Sequence, residues 1–222
     1  MTSGPESWAM RTEALVKTLS EDLKPVRPRS FRRDAVILGV VAILEFAAFA
    51  GAGFMRPDLS HAMHMPSFWW KLASMGAIAI SGAAVALFSS DPTKSPKAGL
   101  RWLAIAVALI FASGWLIDAL EGGFSELVRR LDWQMGLQCT WKMVTLSVPL
   151  VVALGVLIQR GAPTDRFGTS LAAALGSAGW GAFIFVFACP SDDVLYIAVW
   201  YSVGCAIVTV IGRLILARLV RW

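Results

Sequence analysis

Cys139 and Cys189 stand 50 positions apart, at the two ends of a stretch made of one apolar segment, a short basic turn at Arg160-Gly161-Ala162-Pro163 and a second apolar segment. A pair of thiols can be oxidised to a disulfide or, as thiolates, can hold a thiophilic metal ion. If the two segments cross a bilayer as antiparallel helices, the start of the first and the end of the second lie on the same side at similar depth. A bridge then requires only that the helices be neighbours, with Cα atoms about 4.4–6.8 Å apart. A purely structural disulfide meets the same requirement, and either a redox change or a bound metal would alter how the two helices pack. Cys205 falls about half way down the last apolar segment and reads as a packing residue, since a free cysteine behaves as a small apolar side chain.

Two further groups invite a chemical reading. His61, Met63, His64 and Met65 lie within five residues, and imidazole with soft thioether ligands suits copper, Cu(I) above all. The same residues are ordinary in an interfacial loop. Glu45 sits near the middle of the first apolar segment, where an ionisable group costs about 3 kcal/mol by insertion scales and defaults to a functional hypothesis. The bland alternative is a protonated carboxyl bonded to a hydroxyl on a neighbouring segment, such as Ser74 or Ser81. A proton-coupled transporter would be expected to carry more such groups than this one. The chain has no Gly-rich phosphate loop, no HExxH, no exposed Ser/His/Asp set and no CxxC, so the reading is not that of an enzyme. Membrane thiol oxidoreductases generally use a close-spaced redox pair, which is absent.

These groups need elements to hold them. Of 222 residues, 57% are apolar and 16% charged, against about a quarter charged in soluble domains. Six windows reach the roughly 20 residues that a span requires: Ala35 to Met55, Phe68 to Phe88, Leu100 to Leu120, Leu137 to Ile158, Thr169 to Ala188 and Val194 to Ala217. The expected fold is all-α, a six-transmembrane-helix bundle occupying residues 35–222, with residues 1–34 as a polar tail. The first window is long, carries Glu45 and follows that tail, which is unlike a signal peptide. Small residues at four-residue intervals, Ala73, Ala77 and Ser81 in the second window and Gly168, Ala172 and Gly176 in the fifth, predict that these two helices are central.

With both termini placed in the cytoplasm, fifteen of the 20 Lys and Arg fall inside. Arg56, Lys71, Arg129, Arg130 and Lys142 fall outside. That bias predicts N-in and C-in, puts Cys139 and Cys189 at the outer face of what would be a bacterial inner membrane, and explains the net charge of +5 by topology, with no direct nucleic-acid contact. On the outer side Asp118 and Lys142 come to similar levels, and residues 127–133 read as a short interfacial helix anchored by Trp133.

In the tail Trp8, Thr12, Leu15, Leu19 and Leu23 recur at helical spacing with Val16 beside them, while Arg11, Glu13, Lys17, Glu21, Asp22 and Lys24 occupy other faces. Lys24-Pro25 and Arg27-Pro28 end the helix. A lone amphipathic helix cannot bury its own stripe. It must lie on the bilayer or bundle, or enter a groove on a soluble protein.

Several of these features resemble one family. Cys189-Pro190-Ser191-Asp192-Asp193 followed by Val199-Trp200-Tyr201, Cys139 ahead of the fourth window, Arg160-Gly161-Ala162-Pro163 in the turn and the terminal Arg221-Trp222 look like the NrsF-like bacterial membrane anti-sigma factors. The resemblance implies a cytoplasmic N-terminal segment that holds an extracytoplasmic-function sigma factor inactive, through the helix bearing Leu15, Leu19 and Leu23. It also implies an outer-face sensor of oxidants or toxic metals, carried over to Cys139 and Cys189. No cofactor is expected beyond a thiophilic ion such as copper at that face. The His/Met loop lies outside the pattern. The rival classes are a small membrane transporter, a thiol oxidoreductase, and a copper-binding membrane protein using His61, Met63, His64 and Met65.

Overall fold

The computed structural model describes residues 5–21, 30–119 and 132–219. Its elements are α1 (Pro5–Glu21), α2 (Phe31–Gly51), a single turn α3 (Leu59–Ala62), α4 (Pro66–Ser89), α5 (Lys97–Ala119), α6 (Trp133–Gln159), α7 (Arg166–Phe185) and α8 (Val194–Leu219). Six of these, α2 and α4 to α8, are long and apolar enough to cross a membrane. Each overlaps one of the six windows, so the chain is a multi-pass helical membrane protein.

The chain divides into two units, residues 1–30 and 31–222. The first contains α1, on which Leu15, Val16 and Leu19 are each about 60% exposed. Leu23 lies outside the described residues, as does the side chain of Trp8.

In the second unit α7 is the most buried span, packed against α4, α6 and α8. Its small residues permit this. A Cβ added to Gly82 of α4 would come within 2.6 Å of the Gly176 backbone, and one added to Gly179 within 2.7 Å of the Ala79 amide nitrogen. Small residues of this kind allow helix backbones to approach closely where lipid offers no hydrophobic drive to association. The expected stripe on α7 is therefore correct. On α4 it is not: Ala73 and Ala77 are exposed, and the seam runs through Met75, Ile78, Ala79, Gly82 and Ala86, because the close approach at Gly82 fixes which face turns inward. By contrast α2 is buried over only 17% of its apolar window, touching α4 and α6 lightly.

Glu45 differs from expectation in its partner. Trp180 donates from Nε1 to Glu45 Oε2 at 3.0 Å, while Ser74 and Ser81 donate to carbonyls one turn back in their own helix. Hydroxyls within helices have that local acceptor always at hand. Nor is Glu45 the one ionisable group withdrawn from solvent: Lys71, expected as an outer-side charge, is fully buried. The 127–131 part of the interfacial helix lies outside the described residues, and so does the side chain of Asp118. Trp133 opens α6 and meets Trp200 edge-on, centroids 5.5 Å apart.

A buried thiol pair and its charge clamp

Cys139 lies in the second turn of α6. Asp132 caps that helix, its Oδ1 accepting from the Gln134 and Met135 amides at 3.0 and 3.1 Å. Side-chain oxygens at this position satisfy amides that the first turn leaves without partners. Gly136 lies so close to the Trp200 ring that no Cβ could be accommodated without displacing it. The start of α6 is thereby pressed onto α8, and Cys139 Sγ lies 3.4 Å from the Tyr196 hydroxyl.

Cys189 follows the end of α7. Its amide closes the last turn on the Phe185 carbonyl at 2.9 Å, and Pro190, which has no amide to donate, stops the helix there. The chain then runs through residues 190–193 to Asp193, whose Oδ1 caps α8 by accepting from Leu195 and Tyr196 at 3.0 and 3.4 Å. Two helix ends and a proline thus bring Cys189 back to Cys139. The two thiols adjoin within one cluster that includes Tyr196, Tyr201, Trp200 and Phe185. Cys189 is 0% exposed and Cys139 is 4% exposed. Both are free thiols, as is the buried Cys205 on α8. The Tyr201 hydroxyl lies beside Cys189 without a hydrogen bond of good geometry.

Charge surrounds the Cys189 segment. Arg56 Nη1 donates to the Cys189 carbonyl at 3.0 Å and to Asp192 Oδ1 at 3.0 Å. Its Nη2 donates to Asp192 Oδ2 at 3.0 Å and to Asp58 Oδ2 at 2.7 Å, and its Nε to Asp58 Oδ1 at 2.8 Å. A guanidinium has five N–H donors, and all five are used. Lys71 Nζ donates to the Ser191 carbonyl at 3.0 Å and reaches Asp192 Oδ1 at 3.5 Å.

The electrostatics follow from these contacts. The hydrogen bonds from Arg56, then the Lys71 charge, hold the Asp192 carboxyl below its ordinary value against the effect of burial. Asp58 is held at about 2, chiefly by its bonds from Arg56. The adjoining Cys139 thiol and then the nearby Lys71 ammonium draw the Cys189 thiol below its ordinary value, against the opposing effect of desolvation. A thiolate is the nucleophile and the metal ligand, and the Lys71 charge beside the pair favours that form at Cys189.

The His/Met loop falls in and after α3. His64 Nδ1 is 2.8 Å from the Ser60 carbonyl, and Met63 and Met65 are 40% and 38% exposed. Among the described residues, no three His, Cys, Asp or Glu side chains converge. Arg56, Lys71 and Asp192 were readable in the sequence only as two charges on one side and one member of Asp192-Asp193. The available signal was Lys71 itself, a cation inside the Phe68 to Phe88 window, to which the argument used for Glu45 applies equally.

Fold and site together define a multi-pass helical membrane protein with a paired-thiol centre at one end of its bundle, held in a clamp of buried charge. The chain belongs to the NrsF family, described as negative regulator of sigma F, whose model matches residues 19–222. It is 30% identical over 225 residues to the anti-sigma-F factor NrsF of Caulobacter vibrioides, covering 96% of this chain and 100% of that protein. It is 27% identical over 219 residues to the probable anti-sigma-F factor NrsF of Azospira oryzae, with coverage of 96% and 100%. No solved structure matches.

Proposed function

We propose that this chain is an anti-sigma factor of the bacterial inner membrane, with both termini cytoplasmic, that holds an extracytoplasmic-function sigma factor through α1 and releases it when Cys139 and Cys189 change state. The observation that carries this reading is the meeting of two thiols from positions 50 apart in a chain of a sigma-regulating family. An oxidant would take two electrons and two protons from the pair and leave an S–S bond; a thiophilic metal such as copper would displace the protons and bridge the thiolates. Either change replaces a loose thiol contact by a fixed link between the start of α6 and the segment after α7. At the other end of the scheme, the exposed Leu15, Val16 and Leu19 suit helix-in-groove binding, extended by Trp8, Thr12 and Leu23 in the sequence pattern.

The test separates partner binding from membrane folding. In cells that make the proposed sigma-factor partner, a Leu15→Asp, Leu19→Asp double variant is expected to reach the membrane at the normal level and to lose co-purification of that sigma factor. Two carboxylates placed in an apolar groove cost several kcal/mol, which is ample to break a helix-in-groove complex. Unchanged co-purification would contradict the assignment of binding to α1.

A further inference from the structure

Among the six spans, α2 is the one that directly follows the N-terminal segment, and only 17% of its apolar window is buried. Apolar space flanks it on both sides. A cavity of about 310 Å³ lies toward α4, lined by Leu38, Ala42, Ala83 and Leu87 among others. A groove toward α6 is lined by Val41, Leu44, Glu45, Ala48 and Pro149. Polar ties to the rest of the bundle are correspondingly valuable. At mid-span the tie is Glu45 to Trp180.

At the cysteine end the tie is stronger and lands on the thiol segment itself. After α2 the chain turns at Gly53, whose φ of +74° is accessible to glycine at little cost, and brings Arg56 onto the stretch that links α7 to α8. The Arg56 amide donates to the Phe187 carbonyl at 2.9 Å, and its guanidinium holds the Cys189 carbonyl and both oxygens of Asp192. One residue therefore grips this stretch on both sides of Pro190, and through its own chain it is fixed to α2. The side chain of Arg56 is 4% exposed, so these bonds face little competition from water.

We infer that Arg56 is the coupling residue of the sensor: it holds α2 in the sigma-retaining position by gripping the Cys189 carbonyl and Asp192, and a covalent or metal link at Cys189 loosens that grip. The inference rests on the reading of Cys139 and Cys189 as the responsive pair. Pulling Cys189 Sγ into a bond with Cys139 reorients the backbone that carries the Cys189 carbonyl. A guanidinium with all five donors committed has none to spare for a new geometry. The coupling therefore requires a two-state clamp, engaged as a set or released as a set. Lysine in its place would keep the charge and lose the fork.

The inference is tested in two ways. In cells, Arg56→Ala is expected to accumulate in the membrane at the wild-type level, to keep Cys139 and Cys189 reduced by alkylation, and yet to raise unstressed sigma-dependent output at least about fivefold, the lower range for coupling between sites. Arg56→Lys should give an intermediate output. A normally accumulating Arg56→Ala protein whose output stays low and inducible would overturn the coupling role. The second test uses the wild-type protein in lipid nanodiscs, so it holds even if the alanine variant does not accumulate. Diamide takes one hydrogen from each thiol and is reduced to the hydrazine as the disulfide forms. Amide hydrogen exchange in the peptide covering residues 52–58, which includes the Arg56 amide, is expected to accelerate once the disulfide is present. Disulfide formed with unchanged protection there refutes the coupling. Failure of the disulfide to form, with Arg56→Ala still raising output, would count against the thiol reading and leave Arg56 as the holding residue.

Discussion

Gly82 and Gly176 bring α4 and α7 into backbone contact: a methyl group on Gly82 would lie 2.6 Å from both the Cα and the amide nitrogen of Gly176. Backbone on one side and backbone on the other leave nothing flexible to yield. Gly82→Ala is expected to lower the stability of the purified protein by about 1–3 kcal/mol, the range for overpacking, seen as a reduced unfolding midpoint in detergent. Gly39→Ala on α2, where nothing lies within 4 Å, should leave the midpoint unchanged or raise it slightly through helix propensity. Equal effects of the two substitutions would show that the α4–α7 seam is not the close contact that centres the bundle.

The fifteen-to-five division of Lys and Arg gives a topological prediction. A periplasmic-active reporter fused after Ser60 and a cytoplasmic-active reporter fused after Lys97 should both be active, and the exchanged pair inactive. The reverse pattern would put the thiol pair on the cytoplasmic side and remove its access to an oxidising compartment.

Acid should unpick the charge clamp. Asp192 is held below the ordinary carboxyl value of 3.8, so its contribution to stability is fully present above that value and is lost as pH falls through the lower, folded-state value. Asp192→Asn removes the contribution at neutral pH and leaves the fully buried Lys71 with the Ser191 carbonyl alone of its two partners. Breaking a fully buried pair costs about 3–5 kcal/mol, and with solvent still reaching Asp192 the loss is about 2 kcal/mol. Unfolding midpoints of the variant and the wild type should differ at pH 7 and converge below pH 3.8. A constant difference across that range would assign the effect to packing.

What the sequence disclosed, and what it withheld, divides along physical lines. Spans are long averages of hydropathy, so six helices were legible, with ends shifted by a few residues where caps such as Asp132 and Asp165 decide the boundary. The meeting of Cys139 and Cys189 was legible as well, because an antiparallel pair joined by a short turn returns the chain to the same depth. Arg56 to Asp192 was not, since it joins a loop to a distant segment across 136 positions and no periodicity records such a pairing. The inward face of α4 is hidden from the sequence for a related reason. Ala73, Ala77 and Ser81 form a plausible small-residue stripe, and only the partner helix determines that Gly82 is the point of contact. Glu45 stands out in the sequence as an ionisable residue inside an apolar window, but its partner on α7 is the indole N–H of Trp180, a donor that no pattern of hydroxyls marks.

Release of the sigma factor depends, in this mechanism, on the thiol pair being the switch. The most direct measurement is output from a sigma-dependent reporter in strains carrying Cys139→Ser, Cys189→Ser or Cys205→Ser, with and without oxidant or thiophilic metal stress. Serine at 139 or 189 can form neither the disulfide nor the metal bridge, so output in those two strains is expected to be the same under both conditions. Cys205, buried on α8 apart from that chemistry, should be replaceable with the wild-type response intact. Normal stress induction in the Cys139→Ser strain would contradict the account and leave the pair with a structural role at most.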